Sequence, residues 1–270
     1  MLSRIIFIGG SPRSGTTMVR RIMGAHNSIY AGPEFDFIPA FVQLRDKMYK
    51  RIREGRIDKI TTGDVVDEAL CAAISHIFDR KLQAVGKTIY CEKSPHNASV
   101  FPQLLKIFPE SHCIFVLRNP YAIIHSMKQV ANRYLEAGQA APQTAADTEH
   151  SIRQINKFWG AGFLALQRSP ERVPVVYYED ILEDPEREAR RLAKAVKIDF
   201  QPDMLRIEET AYDNPTDDTV KYWYSQEAFN KPIDASRLAG DPKSSLSSDD
   251  QDLIRKHLIR HPLLERYGFS

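Results

Sequence analysis

Apolar positions along the chain fall into two patterns that alternate. Arg4-Ile-Ile-Phe-Ile-Gly9, Thr88-Ile-Tyr-Cys91, His112-Cys-Ile-Phe-Val-Leu117 and Val173-Pro-Val-Val-Tyr-Tyr178 are short, nearly continuous apolar runs of strand length. Pro174 belongs at the start or edge of its strand, since it has no amide to donate. Between these runs, apolar residues recur three and four apart, the spacing of a helix with one buried face. Thr16 to Ala25 carries Met18, Val19, Ile22 and Met23 on one face. Asp64 to Gln83 carries Val65, Ala69, Ala73 and Ile77, and Asp147 to Arg168 carries Ile152, Ile155, Trp159 and Leu166. Further helices are predicted over Ser99 to Phe108, Tyr121 to Val130, Pro185 to Ala195 and Asp249 to Arg260, while Asn214 to Ser248 reads as irregular. Strands alternating with helices predict an α/β fold, a parallel sheet flanked by helices. No repeat or shift in composition divides the chain, so residues 1–270 are expected to form a single domain.

Composition narrows the chemistry. Hydrophobic residues make up 43% and charged residues 27%, enough for a core and a solvated surface. The net charge is only +2, so no nucleic acid partner is expected and any anion must be held by locally placed Arg and Lys. No run of about 18 apolar residues suggests a transmembrane helix. The first apolar segment, Ile5 to Gly9, is too short for a signal-peptide core. Cys71, Cys91 and Cys113 are sparse and lack Cys-x-x-Cys spacing, which fits reduced thiols and a cytoplasmic location.

The chain's most specific signal is Gly10-Ser-Pro-Arg-Ser-Gly-Thr-Thr17, lying between the first strand and the first helix. Inward-pointing amides and a helix N-terminus make such a loop an anion site. Its spacing approaches the nucleotide-binding Gly-x4-Gly-Lys-[Ser/Thr] loop, but Thr16 stands where the lysine belongs. That disfavours an ATP- or GTP-dependent kinase, the leading rival function; a non-catalytic nucleotide-binding protein is the other. Arg13 supplies a cation from within the loop instead. A second anion anchor is Arg118, at the end of the strand closing on Leu117, with Ser126 eight residues on. A guanidinium and a hydroxyl together suit a phosphate dianion.

These two segments resemble the nucleotide-binding motifs of the sulfotransferases that use 3′-phosphoadenosine-5′-phosphosulfate (PAPS). The likeness is greatest to the tyrosylprotein and glycan-type branch and covers nearly the whole chain in order. The resemblance implies that Ser11, Pro12, Arg13, Ser14, Gly15, Thr16 and Thr17 grip the 5′-phosphosulfate, and that Arg118 and Ser126 clamp the 3′-phosphate. It implies that Tyr178 helps hold the nucleotide and that Ser236 and Arg237 reach the 3′-phosphate from a late loop. It assigns Glu34 as general base, Lys93 and Arg13 as cations on the transferring group, and Ser225 as a transition-state contact. No metal is implied, and the product is the 3′,5′-bisphosphate (PAP). His96 is a rival base, and His125 reads as a packing residue.

Two departures bear on the acceptor. Where the tyrosylprotein branch has an Arg two residues past its catalytic Glu, this chain has Asp36, which disfavours acidic tyrosyl peptides. Where that branch has another Arg four residues past the clamp Ser, this chain has Val130, leaving Lys128 or Arg133 as substitutes. The expected acceptor is therefore a hydroxyl on a small molecule, lipid or glycan, ahead of protein tyrosine. Phe35 to Arg56, Ala131 to Gln154 and Tyr212 to Tyr224 are the segments expected to line its cleft. Oligomeric state is not legible in the sequence.

Overall fold

The computed structural model describes residues 4–209, 220–223, 232–238 and 240–270. Among the described residues five strands, β1 (Arg4–Gly10), β2 (Ile29–Tyr30), β3 (Ile89–Lys93), β4 (His112–Leu117) and β5 (Val175–Tyr177), form one sheet in the order β2-β3-β1-β4-β5. Every pairing is parallel, with Ile8 beside Lys93, Gly10 beside Val116 and Leu117 beside Tyr177.

The helices are α1 (Thr16–Gly24), α2 (Ile38–Arg53), α3 (Gly63–Val85), α4 (Phe101–Ile107), α5 (Pro120–Glu136), α6 (Gln143–Ala146), α7 (Thr148–Arg168), α8 (Tyr178–Glu183), α9 (Pro185–Ala195), α10 (Val220–Trp223) and α11 (Ser248–His257). Alternation along the strands splits the core in two. Ile5, Phe7, Cys113, Phe115 and Leu117 face one side and pack with α2, α3, α4, α5 and α7. Ile6, Ile8, Ile114, Val116 and Val176 face the other, against α1, α8 and α9. Both faces are therefore dry, and this is why the strands read as continuous apolar runs rather than alternating ones.

The predicted fold class holds, with local corrections. In α3 the buried stripe is Val66, Leu70, Ile74 and Phe78, one position on from the expected face; Val65 and Ile77 are exposed. Both stripes have helical spacing, and the larger side chains took the core. The strand read from Val173 starts at Val175, and the helix read from Ser99 starts at Phe101 after a 3-10 turn over Pro95–Val100. Helix α2 was not read from the sequence. Its inner face includes Arg45, which is buried because its guanidinium pairs with Asp67 of α3 at 2.5 Å and 3.0 Å.

Topology fixes where a ligand belongs. The chain leaves β1 towards β2 on one side, and leaves β4 towards β5 on the other. In parallel sheets, ligands bind at the carboxyl ends of strands where the connections diverge in this way.

Candidate active site

All five strands deliver a site segment at their carboxyl ends. Adjacent strands lie about 4.8 Å apart, so residues at the ends of β3, β1 and β4 share a patch roughly 10 Å wide. β1 runs into the loop 11–15. Its backbone turns through Arg13, which has a left-handed φ of 68°, and Gly15, with a φ of 98°. Such a conformation is costly for a non-glycine residue and marks a loop whose shape is imposed by its surroundings. At Gly15 an added Cβ would lie 2.3 Å from the Tyr178 ring, so only glycine lets the loop close on α8. Gly15 is also the N-cap of α1 and has no side chain to offer the amides of Thr16 and Thr17, which precede the first intrahelical acceptor. Ser14 is fully buried, and its Oγ has no partner among the described residues. A buried hydroxyl without a partner beside first-turn amides is a donor set that fits an anionic oxygen.

The second anchor touches the first. Arg13 Nε donates to Ser126 Oγ at 2.9 Å, across α5. Arg118 Nη1 donates to the Arg13 carbonyl at 2.8 Å, and its guanidinium lies 4.4 Å from the centroid of the Tyr178 ring. The two motifs, far apart in sequence, thus form one cluster of anion donors. Tyr178 is buried, with its ring wedged between Gly15 and Arg118. Arg13 also donates to the Trp223 carbonyl and Arg133 Nε donates to the Tyr222 carbonyl at 2.7 Å, so α10 is held beside the loop. Trp223 Nε1 donates to Tyr134 Oη at 3.1 Å, and Tyr134 and Tyr222 pack with ring centroids 4.5 Å apart. Lys128 is committed elsewhere: its ammonium sits 2.9 Å from Asp250 on α11.

Glu34 lies on the turn after β2, and its carboxylate is ion-paired with Lys93 at the end of β3. Lys93 is only 2% exposed, a buried ammonium rather than a surface one. Neighbouring contacts repeat the arrangement. The Phe35 amide donates to Glu92 Oε1 at 3.2 Å, and Ser94 Oγ donates to Asp36 Oδ1 at 3.0 Å. Three successive residues of the turn are held by three successive residues around the end of β3. Phe37 stands exposed next to this turn, its ring 5.7 Å from that of Phe35.

Ser236 is exposed on a 3-10 turn over Ala235–Leu238 that packs beside α8, with its amide bonded to Asp234 at 2.8 Å. Arg237 lies on the same turn. Ser225, Tyr212 and Tyr224 lie outside the described residues. His96 is exposed and packs edge-on against Phe158, and His125 contacts Gln129 within α5.

Three contributors were missed by sequence reasoning. Glu92 and Asn97 are fully buried beside Lys93. Glu179 accepts from the Asn119 amide at 2.8 Å and from Tyr267 at 2.6 Å, fixing the residue after Arg118. The available signal for Glu92 was a carboxylate inside an apolar strand. Among the described residues there is no metal-ligating cluster of His, Cys, Asp and Glu, and no helix is long and apolar enough to cross a membrane.

Comparison with known proteins supplies the family. A family model described as "Sulfotransferase family" matches residues 5–202. Protein-tyrosine sulfotransferase 1 of Danio rerio is 25% identical over 268 residues, covering 98% of this chain and 72% of the relative. Protein-tyrosine sulfotransferase A of Caenorhabditis elegans is 27% identical over 275 residues, covering 99% of this chain and 68% of the relative. Among solved structures, the sulfotransferase domain from the Synechococcus PCC 7002 olefin synthase aligns over 93% of each chain with a TM-score of 0.60 at 20% identity. A mouse sulfotransferase complexed with PAP aligns over 100% of this chain and 86% of its own, with a TM-score of 0.55 at 14% identity. At those identities the two structures speak for the fold alone.

Proposed function

This chain belongs to the sulfotransferase family, and on that premise we propose that it transfers a sulfuryl group from PAPS to an acceptor hydroxyl by in-line displacement, with Glu34 as the base. The observation that carries the reading is the contact of Arg13 with Ser126, which joins the loop after β1 to the clamp after β4 in one anion site.

Bound PAPS would supply an activated sulfuryl group whose leaving oxygen belongs to a phosphate. The protein's own residues divide the remaining work. Ser14, the first-turn amides of α1 and Arg13 suit the 5′-phosphosulfate, and Arg118 and Ser126 suit the 3′-phosphate. This donor set consists of amides, hydroxyls and guanidinium groups, which match anionic oxygens in type. Glu34 is a carboxylate at the strand ends with a cationic partner, Lys93. As base it holds the acceptor's hydroxyl proton, while Lys93 offsets the negative charge that builds towards the leaving side. Arg133 stands in for the arginine absent at Val130, because Lys128 is paired with Asp250.

The acceptor we propose is a hydroxyl on an uncharged or apolar molecule. Asp36 brings negative charge two residues from Glu34, and the exposed Phe37 ring offers an apolar contact at the same turn. A transfer screen with sulfur-labelled PAPS against alcohols, phenols, glycans and acidic tyrosyl peptides tests both halves. Label in an alcohol, phenol or glycan supports the reading. Label only in acidic tyrosyl peptides overturns the acceptor class, and no label in any acceptor counts against transfer.

The nucleotide is tested separately, by thermal stability with PAP, 5′-AMP and ATP. A ligand present at a hundredfold excess over its Kd stabilises the folded chain by about 2.7 kcal/mol. PAP should stabilise strongly and Arg118→Ala should remove that gain. Equal or greater stabilisation by ATP overturns the PAPS reading.

A further inference from the structure

Glu92 is fully buried, in a strand that otherwise ends in apolar and catalytic-site residues. An ionisable group so placed is costly unless its oxygens are occupied. Both are. Oε1 accepts from the Phe35 amide at 3.2 Å, and Oε2 accepts from Asn97 Nδ2. Asn97, itself fully buried, also donates from Nδ2 to the Ile8 carbonyl at 3.1 Å. Ile8 is two residues before the end of β1, where the phosphate loop begins.

The chain of contacts therefore runs from the loop strand, through Asn97 and Glu92, to the backbone of the residue following Glu34. On the other side of the same peptide, Glu34 is held by Lys93, the neighbour of Glu92. We propose that Glu92 is a positioning residue: it fixes the Phe35 amide, and with it the Glu34 carboxylate, at a set place relative to the phosphate loop. The inference rests on the reading of Glu34 as the base.

The charges around Glu92 make this role measurable. Burial pushes its carboxyl up to about 7, with repulsion from Glu34 in the same direction, against donations from Asn97 and Phe35 and attraction to Lys93 that favour the ionised form. Cys91 on its own strand is the other titratable neighbour, and its thiol is pushed well up by burial. Arg20 of α1 acts on Cys91 and donates to the Gly32 carbonyl at 2.8 Å, on the same turn as Glu34. Glu92 thus changes charge near neutral pH while facing the base.

The experiment uses the full chain as wild type, Glu92→Gln and Glu92→Asp. Nuclear magnetic resonance follows the Phe35 amide and the Glu34 side-chain carboxyl across pH 4 to 9. In wild type the Phe35 amide should titrate with a midpoint near 7. In Glu92→Gln that step should vanish from the Phe35 amide and from the Glu34 carboxyl resonance alike. A Phe35 amide that shows no such titration, or a Glu34 carboxyl resonance unchanged by Glu92→Gln, overturns the proposal.

The kinetic arm measures kcat and KM with PAPS and the best acceptor of the transfer screen. Glu92→Gln should lower kcat by roughly 10- to 100-fold, with KM for PAPS and the Kd of PAP unchanged. Glu92→Asp should recover part of the loss, and an unchanged kcat in Glu92→Gln overturns the proposal. If wild type transfers no label to any acceptor, it is the sulfotransferase reading that fails, and the resonance arm still decides whether Glu92 positions Glu34. Retained PAP affinity in Glu92→Gln shows that the variant is folded.

Discussion

Arg13 Nε donates to Ser126 Oγ at 2.9 Å, although the two residues lie 113 positions apart in the chain. One belongs to the loop after β1 and the other to the helix after β4. The strand order places those two segments side by side, and Arg118 adds a second tie by donating to the Arg13 carbonyl. Groups in direct contact act on a ligand together. In a double-mutant cycle, Arg13→Ala and Ser126→Ala should be non-additive in PAP affinity, with a coupling of about 0.5–3 kcal/mol. Calorimetric titration of the four proteins gives the number, and strict additivity would mean that the two residues serve separate sites.

Glu34 and Lys93 form the other pair at the strand ends. If Glu34 takes the acceptor proton, Glu34→Gln removes the base but leaves the nucleotide donors in place. The expected result is a loss of about 100- to 10,000-fold in kcat with PAP affinity retained. A variant that keeps wild-type kcat would move the base elsewhere, with His96 the first to test.

Gly15 carries a steric requirement that is independent of chemistry. Its φ of 98° and the Tyr178 ring, 2.3 Å from where a Cβ would stand, both oppose a side chain. Gly15→Ala should destabilise the fold by about 1–3 kcal/mol and weaken PAP binding as well. Denaturant unfolding of Gly15→Ala and of Gly15→Ala/Tyr178→Ala separates the causes. Partial recovery in the double variant identifies the ring contact, and no recovery identifies backbone strain.

At the opposite, amino end of the sheet, His112 is buried and neither ring nitrogen has a partner among the described residues. Burial, with Arg4, Lys197 and Arg172 nearby, lowers its pKa to about 4 from 6.5. The folded chain thus holds this ring neutral where the unfolded chain protonates it. Its contribution to stability is fully present above pH 6.5 and is lost as pH falls through about 4. His112→Phe should flatten that part of the pH–stability curve. Urea midpoints for both proteins between pH 7 and 4 provide the check, and parallel curves would exclude His112 as the source of the slope.

Much of the site was legible from residue types and order. The loop at Gly10–Thr17 carries its own signal, because glycine, hydroxyl and arginine positions between a strand and a helix define an anion site locally. Arg118 was legible because it ends the clearest buried strand. Glu34 and Lys93 were legible only through resemblance, since an acid in a turn and a lysine after a strand have no local signature. Glu92 and Asn97 escaped notice, because whether a carboxylate in an apolar strand is buried and occupied depends on partners distant in sequence. Helix α2 escaped for a related reason: Arg45 interrupts its apolar stripe unless Asp67 of α3 is there to receive it.

The sequence by itself determined the alternation of strands and helices, the parallel sheet and both candidate anion-binding segments. Those features follow from periodicity and from groups close together along the chain. Tertiary structure decided which stripe of α3 faced inward, that Lys93 is buried, that Lys128 is turned away to Asp250, and that Arg13 meets Ser126. Each of these depends on a contact between distant segments, and such contacts exist only once the strand order has brought the carboxyl ends of β3, β1 and β4 together.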